Sequence, residues 1–249
     1  MAKIVVDIDH IKESLESIGY IINECVERNN NGKNWQIKFS NSGAIVTIYD
    51  SNNVNNSVVN GKSEDNEKAV LKAIVDGLKS GELEVEPLNK KIVELIRERR
   101  EEDYFDFKII PHKDKESLIH DILCLSNNLE NKDGYLIIGV DDNTYEVVGI
   151  APNEFKSNDV FDFLKSLRFS GGHIPNVEIK RLRYKFKEIV VIICKASNNV
   201  PFYLEERYQG INSHQIYTRV GDTNTPKNQH ASYEDVERLW RIHIEAGKK

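Results

Sequence analysis

Cysteine is scarce in this chain. Its 249 residues hold three, Cys25, Cys124 and Cys194, odd in number and far apart. That excludes a disulfide framework and any Cys-x-x-Cys zinc site, and it fits a reducing compartment, so a cytoplasmic location is expected. Long apolar runs are missing too: nowhere do roughly 18 apolar residues follow one another, and no membrane-spanning helix or membrane partner is expected. The opening MAKIVVDIDH lacks an apolar stretch between a basic end and a small-residue cleavage site, so it does not read as a signal peptide. Cationic excess is absent as well. With 34 Lys and Arg against 40 Asp and Glu, the formal net charge is −6, which argues against nucleic-acid binding by bulk charge alone.

What is present is ordinary for a folded protein, 39% apolar and 30% charged, and the length admits one large domain or two small ones. Charge separates the chain into two parts. Most of the acidic excess lies in residues 1–89, where 14 acidic residues face 9 basic ones, and the remainder is close to neutral. Such asymmetry is a sign of separate units. At the same place, Gly81 ends a helical pattern and Pro87 disfavours helix at the residue before it. The expected division is therefore 1–87 and 88–249.

Along the first part, Ile11, Leu15, Ile18, Ile22 and Val26 recur near a 3.6-residue period and predict a helix over 8–28. The polar run 27–34 reads as a turn. Residues 35–39 alternate as a half-buried strand, 44–49 form a second, and 57–60 a short third beyond the Asn-rich turn 50–56. An amphipathic helix covers 67–79, with Gly81 just past its end. A further helix is expected from Leu88 to about Glu102. The fold class is α+β: a small unit of helix, three-stranded sheet and helix, then a mixed-sheet α/β core. Residues 35–80, with a short strand ending in Gly61-Lys62 before a helix, resemble the TATA-box-binding-protein-like domain at the front of type-three ribonucleases H. A small α+β interaction domain explains the same pattern, and the acidity favours it, since only Lys33, Lys38 and Lys62 lie near the strands.

The second part carries the motifs. Glu101-x-x-x-x-Asp106-Phe107-Lys108 opens it. A helix over 115–129 contains Asn127, and Asp133-Gly134 leads into the continuous apolar strand 135–140. That strand ends on Asp141-Asp142-Asn143, with a returning strand at 147–150. A helix over 158–167, a loop at 168–175 and strands at 177–184 and 188–195 follow. A late strand comes over 217–221, and Ser232 caps a last helix through Trp240. Together with Val148-Gly149-Ile150, Pro201-Phe202 and Tyr217-Thr218-Arg219-Val220-Gly221-Asp222, these residues resemble the Schlafen-type, AlbA-like domain over 98–240. Three positions depart from the pattern: Asp106 stands for the usual Glu, Asp133 for a Gly and Asp222 for a Ser.

The resemblance implies a metal-dependent nuclease in which Glu101, Asp106 and Asp142 form the cleavage site and hold Mg²⁺ or Mn²⁺, with Asp141 as a further metal ligand. Asp serves as well as Glu as a hard-oxygen ligand, and such an ion would activate water at a phosphodiester. Structured RNA such as tRNA is the implied substrate, with DNA the alternative, and a role in antiphage defence follows by analogy. Because such domains work in pairs and this chain has one copy, a homodimer is implied. The residues alone leave alternatives open. Asp141-Asp142-Asn143 also reads as a hairpin turn, and Glu101 as part of a solvated helix face. Lys108 could meet a phosphate or pair with Asp106, and Arg219 could clamp a phosphate or find an internal partner such as Asp222. Residues 180–187 are the densest basic segment; a turn near 185–187 breaks them as a phosphate comb and leaves a patch that includes Arg181 and Arg183. His112, His173, His214 and His230 show no metal-ligand spacing and read as surface residues. A non-catalytic nucleic-acid- or protein-binding module is the competing reading.

Overall fold

The structure, a computed structural model, describes residues 6–29, 32–51 and 56–247. Parts of the polar turns expected at 27–34 and 50–56 lie outside the described residues. The chain divides into two units: residues up to Glu98 together with 183–187, and residues 99–182 with 188–249.

In the first unit, α1 (Ile8–Ser17) starts where the Asp7 side chain accepts a hydrogen bond from the His10 amide at 3.0 Å. It stops far short of residue 28. Gly19 takes the left-handed conformation, φ +96°, and the Tyr20 amide closes back on the Leu15 carbonyl. The chain then reverses into β1 (Ile22–Arg28), so the expected single helix is a helix and a strand. A bulge between Ile22 and Glu24 puts Ile22 and Cys25, opposite Phe39 and Ile37, on the core side of β1 and leaves Val26 on the other face.

Strands β2 (Asn34–Phe39), β3 (Ala44–Tyr49) and β4 (Val58–Gly61) continue an antiparallel meander in the order β1-β2-β3-β4. The sheet is four-stranded, one strand more than expected. Alternation places Trp35, Ile37 and Phe39 of β2 and Ala44, Val46 and Ile48 of β3 in the core. There they meet Ile11 and Leu15 of α1 and Leu71, Ile74, Val75 and Leu78 of α2 (Asp65–Ser80). Helix α3 (Pro87–Glu98) groups with this unit and ends before Arg99, which has φ +53°.

The second unit is built on a mixed sheet in the order β5-β6-β8-β7, from β5 (Phe105–Lys108), β6 (Gly134–Ile138), β7 (Val177–Tyr184) and β8 (Lys187–Cys194). β5 and β6 run parallel, joined through α4 (Lys115–Ser126), as parallel neighbours require a crossover. β6 pairs antiparallel with β8. β6 is buried throughout, the reason its sequence is a continuous apolar run. β7 and β8 form the hairpin that the turn near 185–187 implies, and Lys185 has φ +52°. α5 (Ser157–Ser166), a short β9 (Arg219–Val220) and β10 (Thr223–Asn224) hairpin, and α6 (Tyr233–Ala246) complete the unit. Ser232 caps α6 by accepting from the Asp235 amide, and the helix runs six residues beyond Trp240.

Two local expectations change. The returning strand at 147–150 is a single bridge between Val140 and Val147; Gly139 and Gly149 both take positive φ, and the Val148 and Gly149 amides both donate to the Gly139 carbonyl in place of a regular ladder. α4 ends at Ser126, with Asn127 as its C-cap and the Asn127 backbone amide still bonded to the Leu123 carbonyl, while the side chain serves the core. Its amide donates to the carbonyls of Phe202 and Tyr217, and its oxygen accepts from the Phe202 amide, tying three segments of the core.

Gly61 has φ +100°, and a Cβ there would stand 2.1 Å from the Gly43 carbonyl oxygen. Gly61→Ala should therefore destabilise the first unit by about 1–3 kcal/mol. A lowered urea midpoint checks this, followed by Trp35 fluorescence in a Trp240→Phe background; an unchanged midpoint would contradict the close approach.

Candidate functional site

β5 sets the geometry. Its two-residue period puts Asp106 and Lys108 on one face and Phe105 and Phe107 on the other. The preceding segment brings Glu101 back onto the strand, where its Oε1 accepts the Phe107 amide at 2.8 Å. α4 contributes Asp121, and the β9–β10 hairpin contributes Arg219 and Asn224.

Arg219 is the centre. It is 2% exposed, and its guanidinium is held on every side. Nη2 reaches Glu101 Oε2 at 2.6 Å and Asp106 Oδ1 at 3.4 Å, Nη1 donates to Asn224 Oδ1 at 2.9 Å, and Nε donates to the Glu102 carbonyl at 2.9 Å. Lys108 Nζ stands 2.5 Å from Asp106 Oδ2 and 3.8 Å from Asp121 Oδ2. Asp121 Oδ2 also meets His112 Nε2 at 2.8 Å, and its Oδ1 accepts from Asn224 at 2.8 Å. Three carboxylates, a guanidinium, an ammonium and an imidazole thus form one connected network in the interior.

Burial and neighbours set the protonation of this network. Glu101 is pushed up to about 7, first by burial and then by the charge of Asp106; the Phe107 amide and Arg219 offset this only in part. Burial pushes Asp121 the other way from its partners, yet the hydrogen bond from His112 and the charge of Lys108 hold it below the ordinary carboxylate value. Lys108 is raised: burial opposes, and Asp106 and Asp121 outweigh it.

The structure brings together Glu101, Asp106, Lys108 and Arg219, and leaves Asp141 and Asp142 in a turn. Asp141 Oδ1 accepts from the amides of Asn143 and Thr144, bonds that hold its carboxyl below the usual value. Asp142 is exposed and accepts from the Asn143 side chain. No hydrogen bond or ion pair among the described residues joins either to Glu101 or Asp106. The segment therefore forms the turn that its composition favours. Arg219 is not placed as a phosphate clamp, because its donors serve internal partners; these are Glu101 and Asp106, with Asp222 instead bonded to Thr223. Arg181 is tied to Glu188 and to the carbonyls of Pro152 and Phe155. Arg183 is exposed and groups with the first unit.

Asp121 and His112 are members that the sequence motifs did not single out. His112, read as a surface residue, is largely enclosed and bonded to Asp121. One signal was available for Asp121: it lies in Leu118-Ile119-His120-Asp121-Ile122-Leu123, where a charge interrupts a helix buried on nearly all sides.

The Mg²⁺ or Mn²⁺ that the resemblance implies does not fit this arrangement. Both oxygens of Glu101 and both of Asp106 face the Phe107 amide, Arg219 or Lys108. The positive charge that a divalent ion would bring to these carboxylates is already supplied by two side chains. Among the described residues, no group of three or more His, Cys, Asp or Glu is arranged to hold a metal ion. Nor is any helix among them long and apolar enough to cross a membrane.

The family model described as Schlafen, AlbA_2 matches residues 101–228. Its span begins at Glu101 and takes in every member of the network. No curated protein matches the chain.

Two outcomes follow from this chemistry. Removing the guanidinium by Arg219→Met leaves Glu101 and Asp106 buried against each other, and should cost about 3–5 kcal/mol at pH 8. Adding Glu101→Gln should recover part of that loss in urea denaturation; no recovery would mean that the carboxylates are not the cause. The pH dependence has a definite sign. Because the folded value of Glu101 lies above its ordinary 4.5, the folded state holds more protons than the unfolded one between about pH 5 and 7, and stability falls as pH rises through that window. Glu101→Gln should remove this slope. The variant should gain up to ~3 kcal/mol on the wild type between pH 5 and 8, and parallel profiles would refute the assignment.

Proposed function

The chain belongs to the Schlafen, AlbA_2 family, which is associated with nucleic acids, and from this premise we propose that it is an endoribonuclease acting on structured RNA such as tRNA. The observation that carries the reading is Glu101, raised to about 7 beside Asp106. A buried carboxyl poised near neutrality can both take and give a proton, through the second lone pair that one bond from the Phe107 amide or Arg219 leaves on each oxygen, which is what general acid–base chemistry at a phosphodiester needs. Asp106 and Arg219 position it from inside. Lys108, more open than either, stands where a phosphate oxygen would meet positive charge. No step is assigned to Mg²⁺ or Mn²⁺, because Arg219 and Lys108 already bring positive charge to the carboxylates.

A second reading, a non-catalytic nucleic-acid-binding module, is favoured by one specific observation: Arg219 and Lys108 already neutralise the carboxylates. It requires salt-sensitive RNA binding that needs no divalent ion.

Cleavage of tRNA separates the two. The wild type should cut in EDTA as well as in Mn²⁺, with a rate that rises toward pH 7 and then levels as Glu101 ionises. Glu101→Gln should lose roughly 100-fold or more, while Asp142→Ala should keep its activity. Equal cleavage by wild type and Glu101→Gln, or none by any preparation, removes the nuclease reading. In the second case, retention of tRNA in a metal-free gel shift leaves the binding module standing.

A further inference from the structure

Beside the charged network lies a cavity of about 200 Å³. It opens between the start of α4, the start of α5 and the carboxyl end of β6. Ligands of α/β sheets sit outside the carboxyl ends of the strands, and β5 and β6 run parallel into this end. We propose that this cavity receives one unpaired base of a single-stranded nucleic acid, with the flanking phosphates on the lysines at its mouth.

Three observations carry this. The walls are apolar and partly aromatic, formed by Leu118, Ile138, Phe155, Val160 and Phe163. A volume of about 200 Å³ is below the ~300–1,000 Å³ of clefts that take drug-sized ligands, so one planar ring system fills it and a duplex does not enter. Aromatic walls suit any base, because each base has a π-face. The mouth carries Lys113, Lys115 and Lys156, all exposed. Lys113 and Lys156 make no ion pair among the described residues, and Lys115 lies over the Phe163 ring at 5.1 Å. Three acids share the lining, and two of them are spent on the backbone. Asp114 caps α4 through the Ser117 amide, and Glu154 accepts from the Ala151 amide. Asp159 is left as an acceptor for a base amino group. Finally, His112 lines the cavity and bonds Asp121, which stands 3.8 Å from Lys108. A base held here leaves its phosphate close to the proposed phosphate contact. The inference rests on the nucleic-acid reading and adds what that reading lacks: the RNA is recognised at an unpaired position, by one base.

The test uses the full chain and two fluorescein-labelled 12-nucleotide RNAs, identical except that one has an abasic sugar at its centre. Polyuridine with a single central adenosine is the intact probe. The intact RNA should bind about 10-fold more tightly than the abasic one, the range expected for one stacked base. Leu118→Trp, which fills the cavity, should bring the intact RNA to the abasic level without altering abasic binding. Lys113→Ala with Lys156→Ala should weaken both RNAs and flatten the salt dependence. Equal affinity for the two RNAs in the wild type overturns the base pocket and leaves RNA binding intact. Absence of binding to either at low salt overturns both this inference and the RNA reading. The wild-type comparison alone decides the matter should Leu118→Trp fail to fold.

Discussion

A single guanidinium in the interior is the interaction on which the second unit depends. Burying a charge is costly unless it is paired and hydrogen-bonded, and Arg219 satisfies that condition with four partners from three parts of the chain. Glu101 and the Glu102 carbonyl come from the segment before β5, Asp106 from β5 itself, and Asn224 from the strand that pairs with Arg219. The same contacts explain why the β9–β10 hairpin, only two residues a side, holds its place: side-chain bonds supplement a ladder too short to stand alone.

The charge balance of the network follows from that constraint. Burial and the neighbouring charge of Asp106 outweigh what Arg219 offers, so Glu101 rises toward neutrality. Asp106 finds its second cation in Lys108, which in turn reaches Asp121, and Asp121 reaches His112. The most buried members, Arg219 and Asp106, hold the geometry. Lys108 is the most open member, and His112 lines the neighbouring cavity. That gradient from fixed interior to accessible edge is how a preorganised polar site keeps its orientation in a low-dielectric setting.

Much of the architecture was legible because it follows local rules. The period-two pattern at 35–39 and 44–49 produced β2 and β3, the amphipathic run before Gly81 produced α2, and Ser232 capped α6 as a hydroxyl before a helix should. The helix expected over 8–28 failed at Gly19, where one left-handed residue lets the chain reverse into β1. The site was legible in part. The motif Glu101-x-x-x-x-Asp106-Phe107-Lys108 marked the right strand, since alternation along β5 places Asp106 and Lys108 together. It could not show that Asp121, thirteen residues past Lys108 and on a helix, completes the network. Nor could it show that Asp142, beside a buried strand, turns outward.

By itself the sequence determined the α+β class, the family over 101–228 and the candidate pair Glu101 and Asp106. These depend on periodicity and on short motifs, which act between residues close in the chain. The tertiary structure decided what those carboxylates face. Arg219 lies 118 residues from Glu101, and only the docking of the β9–β10 hairpin against β5 brings it there. Whether a carboxylate meets a metal, a solvent molecule or a guanidinium is settled by the partner that burial leaves beside it, and that partner is chosen by packing across the fold.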